Sequence, residues 1–147
     1  MDSDFKRGMW LGLFSPTPIL PMSWWWEYFD NRGTDAYFAR IKTISNQMLA
    51  AGKGGFEQIE LHSGMLGITV MGVKCGNKQF YYFFNENLTT QTLDLEVPAL
   101  SSKYQGLSYD CETGKVTKAN VIKLANGKFK ISGELPAKAD VVITIDK

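Results

Sequence analysis

The sequence predicts an α+β chain: a helix–strand–helix segment over residues 1–52, then an antiparallel β-sandwich over residues 56–147. Three observations lead there. All four tryptophans, Trp10, Trp24, Trp25 and Trp26, fall in the first 26 of 147 residues. A glycine-rich joint, Ala51-Gly52-Lys53-Gly54-Gly55, follows them. Beyond the joint, short β-rich runs recur between turn signals. The length suits one ordinary domain or two small ones.

The first segment opens with residues 4–14, where Phe5, Met9, Trp10, Leu13 and Phe14 share one helical face. Ser15-Pro16-Thr17-Pro18 ends it, since proline cannot continue a helix and restrains the residue before it. Residues 19–26 are a short, nearly continuous apolar run, the pattern of a parallel strand buried on both faces. Asp30-Asn31-Arg32-Gly33 is a loop. Thr34 or Asp35 then caps a helix that runs to about Ala51, with Gly52 as its stop. Tyr37, Phe38, Ile41, Ile44, Met48 and Leu49 form its apolar stripe.

Seven strands are predicted in the second segment. Met65–Lys74 and Gln79–Asn85 flank Gly76-Asn77 at hairpin spacing. Thr92–Val97 alternates, with Leu93, Leu95 and Val97 on one face. Gly106–Asp110 leads into the turn Glu112-Thr113-Gly114. Val121–Leu124 and Phe129–Ser132 flank Asn126-Gly127, a strong hairpin signal. Ala139–Ile145 closes the set. The run Phe80-Tyr81-Tyr82-Phe83-Phe84 is expected to serve the sandwich core on one face and the first segment on the other.

Composition excludes several functions. Sixteen Lys and Arg against fifteen Asp and Glu give a net charge of +1, unlike a polybasic nucleic-acid binder. No run of eighteen apolar residues marks a membrane helix, and the acidic, proline-broken N-terminus is unlike a signal peptide. With one histidine, His62, and two cysteines, Cys75 and Cys111, a zinc site is not expected, nor is any cofactor. His62 is an ordinary junction residue by its context. The cysteines are open to pairing if their strands are neighbours, and to remaining free thiols at turn positions. Asn87-Leu88-Thr89 is a glycosylation sequon that has meaning only in a eukaryotic secretory setting.

The segment richest in chemistry is Met22-Ser23-Trp24-Trp25-Trp26-Glu27-Tyr28-Phe29-Asp30. Strand side chains alternate, so Trp24 and Trp26 point one way and Trp25 the other. An indole face packs on the C–H face of a sugar ring, and a carboxylate such as Glu27 binds its hydroxyls. Core packing explains the same tryptophans equally simply, and loop solvation or helix capping explains Glu27 and Asp30. Both readings are open for each residue.

Residues 4–49 resemble the C-terminal end of the (β/α)8 barrel in family-5-like glycoside hydrolases of clan A, as in similar bacterial polysaccharide-degrading proteins. The features are Arg7-Gly8-Met9-Trp10-Leu11-Gly12-Leu13 (slightly offset from an R-x-x-x-W-x-x-L helix), Pro21-Met22-Ser23-Trp24-Trp25-Trp26, the acidic stretch Glu27 to Asp30, and Tyr37-Phe38. The second segment resembles the β-sandwich that ends many such enzymes. Its Tyr104–Gly114 stretch is similar to a W-x-D-P-x-T-G turn, with Tyr109 for tryptophan and Cys111 for proline.

The resemblance implies that residues 1–52 are the seventh helix, eighth strand and eighth helix of a barrel, with Trp24, Trp25, Trp26 and Glu27 lining a sugar subsite. It implies polysaccharide or oligosaccharide as partner, together with the rest of the barrel, and a periplasmic or extracellular setting. Retaining enzymes of this kind use two carboxylates about 5 Å apart. In the family these sit on the fourth and seventh strands, which would precede residue 1. The chain is thus expected to be a C-terminal fragment without catalytic residues. The alternative is a non-catalytic sandwich that binds carbohydrate or buttresses the barrel. One strand and two helices cannot close a barrel, so residues 1–52 should pack on the sandwich or self-associate.

Overall fold

The computed structural model describes residues 2–15, 34–100 and 103–147. Two helices, α1 (Asp2–Phe14) and α2 (Asp35–Gly52), precede the strands. These are β1 (Phe56–Ile59), β2 (Ile68–Cys75), β3 (Lys78–Asn85), β4 (Gln91–Val97), β5 (Gln105–Asp110), β6 (Val116–Lys118), β7 (Asn120–Lys123), β8 (Phe129–Leu135) and β9 (Asp140–Asp146). The fold is α+β, and among the described residues every strand pairing is antiparallel. One sheet runs β1-β2-β3-β9-β5-β6, the other β4-β8-β7. The predicted strand over residues 19–26 lies outside the described residues.

Strand alternation divides the molecule into two cores. On β3, Tyr81 and Phe83 join Leu93, Leu95, Phe129, Ile131 and Ile143 between the two sheets. Phe80 and Tyr82 point the other way, toward Met9, Trp10, Phe14, Ile41, Ile44 and Met48 of the helices. The order is therefore helices, six-stranded sheet, three-stranded sheet. A run of five aromatics suits β3 because both of its faces are dry. Trp10 stacks on Tyr82 with ring centroids 6.1 Å apart and planes 11° from parallel. Phe14 meets the same ring at 5.7 Å. The strip formed by Met9, Trp10, Phe14, Ile41, Ile44 and Met48 is thus spent on the sheet.

The helix boundaries show where local rules yield to packing. Thr34 makes no side-chain capping bond, although its carbonyl accepts from the Tyr37 N–H at 2.8 Å. Gly52 stays helical and Lys53 takes the left-handed position, φ 47°, with its N–H on the Leu49 carbonyl at 3.0 Å. The Phe56 ring lies where a Cβ on Gly52 would meet it at 3.2 Å, so glycine serves close packing one residue before the stop. Phe38 and Leu49, expected on the buried stripe of α2, are about half exposed, because the sheet covers only the strip around Ile41, Ile44 and Met48.

The two hairpins signalled by turn residues form as expected. Cys75 pairs with Lys78 across Gly76-Asn77. Gly76 has φ 57°, and a Cβ there would lie 2.3 Å from the Ala51 carbonyl, so no other residue fits. β7 and β8 join through Asn126-Gly127, with Gly127 at φ 80° and the Leu124 N–H on the Lys128 carbonyl at 2.8 Å. The sequence misses β1 and β6. Both are edge strands, nearly all exposed, and carry no alternation to detect.

Both cysteines are free and buried. Register sets Cys75 level with Gln105, whereas Cys111 follows the other end of β5, so about 14 Å across the sheet and about 20 Å along it keep the thiols well outside disulfide reach. Burial pushes the Cys75 thiol up to about 11, and burial with nearby Asp140 pushes Cys111 up too.

Trp10→Ala should destabilise the chain by about 3–5 kcal/mol in urea unfolding, because it opens a void between α1 and β3. Leu66→Ala, at a residue 91% exposed, should stay within about 0.5 kcal/mol of the parent.

Candidate functional site

Where α1 meets one end of the six-stranded sheet, charges converge that the sequence scatters. The first turns of α1 bring Lys6 and Arg7. The end of β3 brings Phe84 and Glu86 just beyond it. The start of β9 brings Lys138 and Asp140, and the turn after β5 brings Glu112. With Asp4, all of these but Glu112, which reaches Lys6 from outside, line a cavity of about 420 Å3.

Its floor is a buried network. Lys6 Nζ lies 3.1 Å from Asp140 Oδ1 and also contacts Glu112 Oε2. Tyr82 donates its hydroxyl to Asp140 Oδ2 at 3.3 Å. The Asp140 side chain is only 4% exposed. Burial pushes its carboxyl above the ordinary aspartate value, and the charge and hydrogen bonds of Lys6 and Tyr82 pull back only partly. Burial works against the Lys6 charge, but its hydrogen bond to Glu112 and the two carboxylates outweigh that and hold it above 10.5. Tyr82 is raised by burial, then by the Asp140 charge, so it stays a donor.

The turn that presents Glu112 is held by Asp110. Its Oδ1 accepts from the Thr113 N–H at 2.6 Å, from the Glu112 N–H at 2.9 Å and from Thr113 Oγ1 at 2.9 Å. Burial opposes the Asp110 charge, yet those bonds and Lys6 prevail and hold the carboxyl below its ordinary value. Gly114, at φ 74°, closes the turn through its N–H on the Asp110 carbonyl. This is the physical basis of the Asp-x-x-Thr-Gly pattern: an acid that caps its own turn and a glycine that can adopt a positive φ.

The rim is more exposed. Arg7 Nη2 lies 3.5 Å from Glu86 Oε1, and its guanidinium sits 4.9 Å over the Phe84 ring. Thr69 Oγ1 donates to the same Glu86 oxygen at 2.7 Å. The Glu86 backbone is pinned, its N–H on the Gly67 carbonyl at 2.8 Å and its carbonyl taking the Lys138 ammonium at 2.5 Å. Lys138 itself has φ 58°, a conformation costly for a side-chain-bearing residue. Next to Glu86, Asn87 of the sequon directs its amide at the Leu66 and Gly67 carbonyls and at Asn85 Oδ1, at 3.1–3.3 Å, so it works as a loop staple.

Two carboxylates share Lys6, which invites comparison with a glycosidase pair. Lys6 lies between them and bonds to both, and Asp140 is buried, so the two are tied into an ion-pair cluster and do not face an open gap as a pair. A second hollow, about 410 Å3, is lined by Glu60, His62, Asp94, Glu96 and Lys128. Two of its acids are exposed and paired, Asp94 with Lys130 at 2.7 Å and Glu96 with Lys128 at 3.5 Å. Among the described residues no group of His, Cys, Asp and Glu is arranged to hold a metal.

Trp24, Trp25, Trp26 and Glu27 lie outside the described residues. Of the predicted site features, the structure places only the neighbouring helices. Sequence reasoning missed the Lys6–Asp140 cleft, because its members run from Asp4 to Asp140 and belong to no motif.

No family model matches the chain. No curated relative matches it either. Solved structures do, and they are glycoside hydrolases. A family 30 subfamily 8 xylanase from Clostridium acetobutylicum matches over 74% of this chain and 28% of its own, at 18% identity and TM-score 0.51. An Anoxybacillus α-amylase matches over 75% and 22%, at 11% identity and TM-score 0.50. A Bacillus halodurans protein with a proposed α-N-acetylgalactosaminidase activity matches over 99% and 31%, at 8% identity and TM-score 0.56. At these identities the likeness is one of fold. The chain spans less than a third of the length of each of these three.

Lys6→Met should cost about 2 kcal/mol, less than the 3–5 typical of a broken buried pair because Lys6 keeps some contact with water. The contribution of Lys6 is fully present below its unfolded value of 10.5 and is lost as pH rises through its raised folded value. Urea melts of parent and variant should therefore differ by a constant amount at neutral pH and converge at alkaline pH.

Proposed function

We propose that this chain is the C-terminal portion of a glycoside hydrolase acting on polysaccharide. Residues 1–52 then belong to the end of a (β/α)8 barrel of the family-5-like type, and residues 56–147 form an accessory β-sandwich seated against it. The observation that carries this reading is the breadth of the fold likeness. It runs over 99% of the chain in one glycoside hydrolase and about three quarters in two others of different specificity. The share of those chains that is covered, 22–31%, supports a larger parent.

In this reading Trp24, Trp25, Trp26 and Glu27 line a sugar subsite, and the carboxylates that cleave the bond belong to strands that precede residue 1. The parent acts in the periplasm or outside the cell, where its polymer is found. The chain by itself binds sugar and does not cleave it.

One observation favours a buttressing role for the small sheet over a sugar platform there. The outward positions of β4, β8 and β7 are Thr92, Asp94, Glu96, Lys130, Ser132, Glu134, Asn120 and Ile122, with no aromatic ring among them. The opposite side of the six-stranded sheet is the one that carries the helices.

Purified chain should release no reducing sugar from xylan or starch. Its tryptophan fluorescence should shift with millimolar xylo- or malto-oligosaccharide, and Trp24→Ala or Trp26→Ala should weaken that response about tenfold, near 1.4 kcal/mol. Hydrolysis by the chain that Glu27→Gln abolishes would overturn the reading.

A further inference from the structure

We propose that the cleft between the start of α1 and the β3 and β9 end of the sheet is an accessory subsite for a neutral sugar, held through a vicinal diol by Glu86, Arg7 and Lys138. The inference rests on the glycoside hydrolase reading and adds a second place where the polymer is gripped, on residues remote from Trp24–Trp26 in sequence.

Charge selects the ligand class. Among the described residues, Asp4, Glu86 and Asp140 face Lys6, Arg7 and Lys138, three acids against three bases. A phosphate or a uronic acid meets carboxylates on entry, and a cationic ligand meets ammonium and guanidinium groups. A polyol needs both donors and acceptors, and each of its hydroxyls can give and take a hydrogen bond at once.

The unused bonding capacity sits on the rim. Both side-chain contacts of Glu86, from Arg7 and Thr69, fall on Oε1, which leaves Oε2 as an acceptor among the described residues. Arg7 uses Nη2 on Glu86, so among the described residues Nε and Nη1 remain as donors. The Lys138 ammonium spends one bond on the Glu86 carbonyl and has two protons left. One acceptor flanked by two cationic donors is the pattern that adjacent hydroxyls satisfy.

The floor and rim differ in a way that suits binding. Lys6, Asp140 and Tyr82 are buried and mutually satisfied, so they form a rigid base that gives up nothing to a ligand. Arg7 and Glu86 are 39% and 44% exposed and 3.5 Å apart, an ion pair worth little that opens at small cost. Phe84 holds the Arg7 guanidinium over its ring, and the Gly67 and Lys138 contacts pin the Glu86 backbone, so the recognising groups are positioned before a ligand arrives. Lys138, at φ 58°, keeps its ammonium on the Glu86 carbonyl, beside the acceptor it is to work with. The volume lies within the range of small-ligand sites, roughly 300–1,000 Å3.

The test follows backbone amide shifts of the full chain during titration with xylobiose, maltose, glucuronate and inorganic phosphate. A neutral disaccharide should move the amides of residues 84–87 and 138–140 with a dissociation constant on the order of millimolar, weakened about tenfold by Glu86→Ala and by Lys138→Met. Either variant should retain the parent spectrum elsewhere, and Arg7→Gln serves if one does not. The double variant Trp24→Ala, Trp26→Ala should leave these shifts in place. Glucuronate or phosphate binding more tightly than the disaccharides, or cleft amides unmoved by saturating sugar, would overturn the subsite. Because tryptophan fluorescence reports the barrel reading and these amides report the cleft, failure of one is told apart from failure of the other.

Discussion

The structure depends on one constraint: β3 must be dry on both faces. Five consecutive aromatic residues in a strand leave no side for water, so a layer has to cover each face. The three-stranded sheet covers Tyr81 and Phe83, and the helices cover Phe80 and Tyr82. Tyr82 concentrates the requirement. Its ring is stacked by Trp10 and met by Phe14, while its hydroxyl, too deep for solvent, needs a partner and finds Asp140.

That hydroxyl explains the charged end of the sheet. A carboxylate brought in to satisfy a phenol is itself costly to bury. Lys6 answers Asp140, Glu112 answers Lys6, and Asp110 fixes the turn from which Glu112 reaches. The polar cluster therefore grows outward from the aromatic core until it meets water at Arg7 and Glu86. α1 is consequently held twice, by Trp10 and Phe14 through dispersion and area, and by Lys6 through charge.

Much of the fold was legible because it rests on short-range rules. Asn126-Gly127 and Gly76-Asn77 demand particular dihedrals and declare hairpins wherever they stand. Leu93, Leu95 and Val97 declare the buried face of β4. The continuous run at 80–84 declares two covered faces without saying by what. β1 and β6 were illegible because an exposed edge strand exerts no selection on alternation. The end of α2 was shifted by a residue because Gly52 answers to the Phe56 ring as well as to the helix.

What the sequence determined by itself is local: where turns fall, which side of each strand is apolar, and that an antiparallel set of strands follows the glycine-rich joint. What tertiary structure alone decided is which charged residues meet. Lys6, Glu86, Glu112 and Asp140 have no shared period or motif, and isolated charges along a chain look alike whether they end in solvent or in a network. The order β3-β9-β5 brings their strands together at one sheet end beneath α1. Hydrophobic periodicity is written in neighbouring residues, whereas electrostatic partners are set by distance in space, which only the assembled layers define.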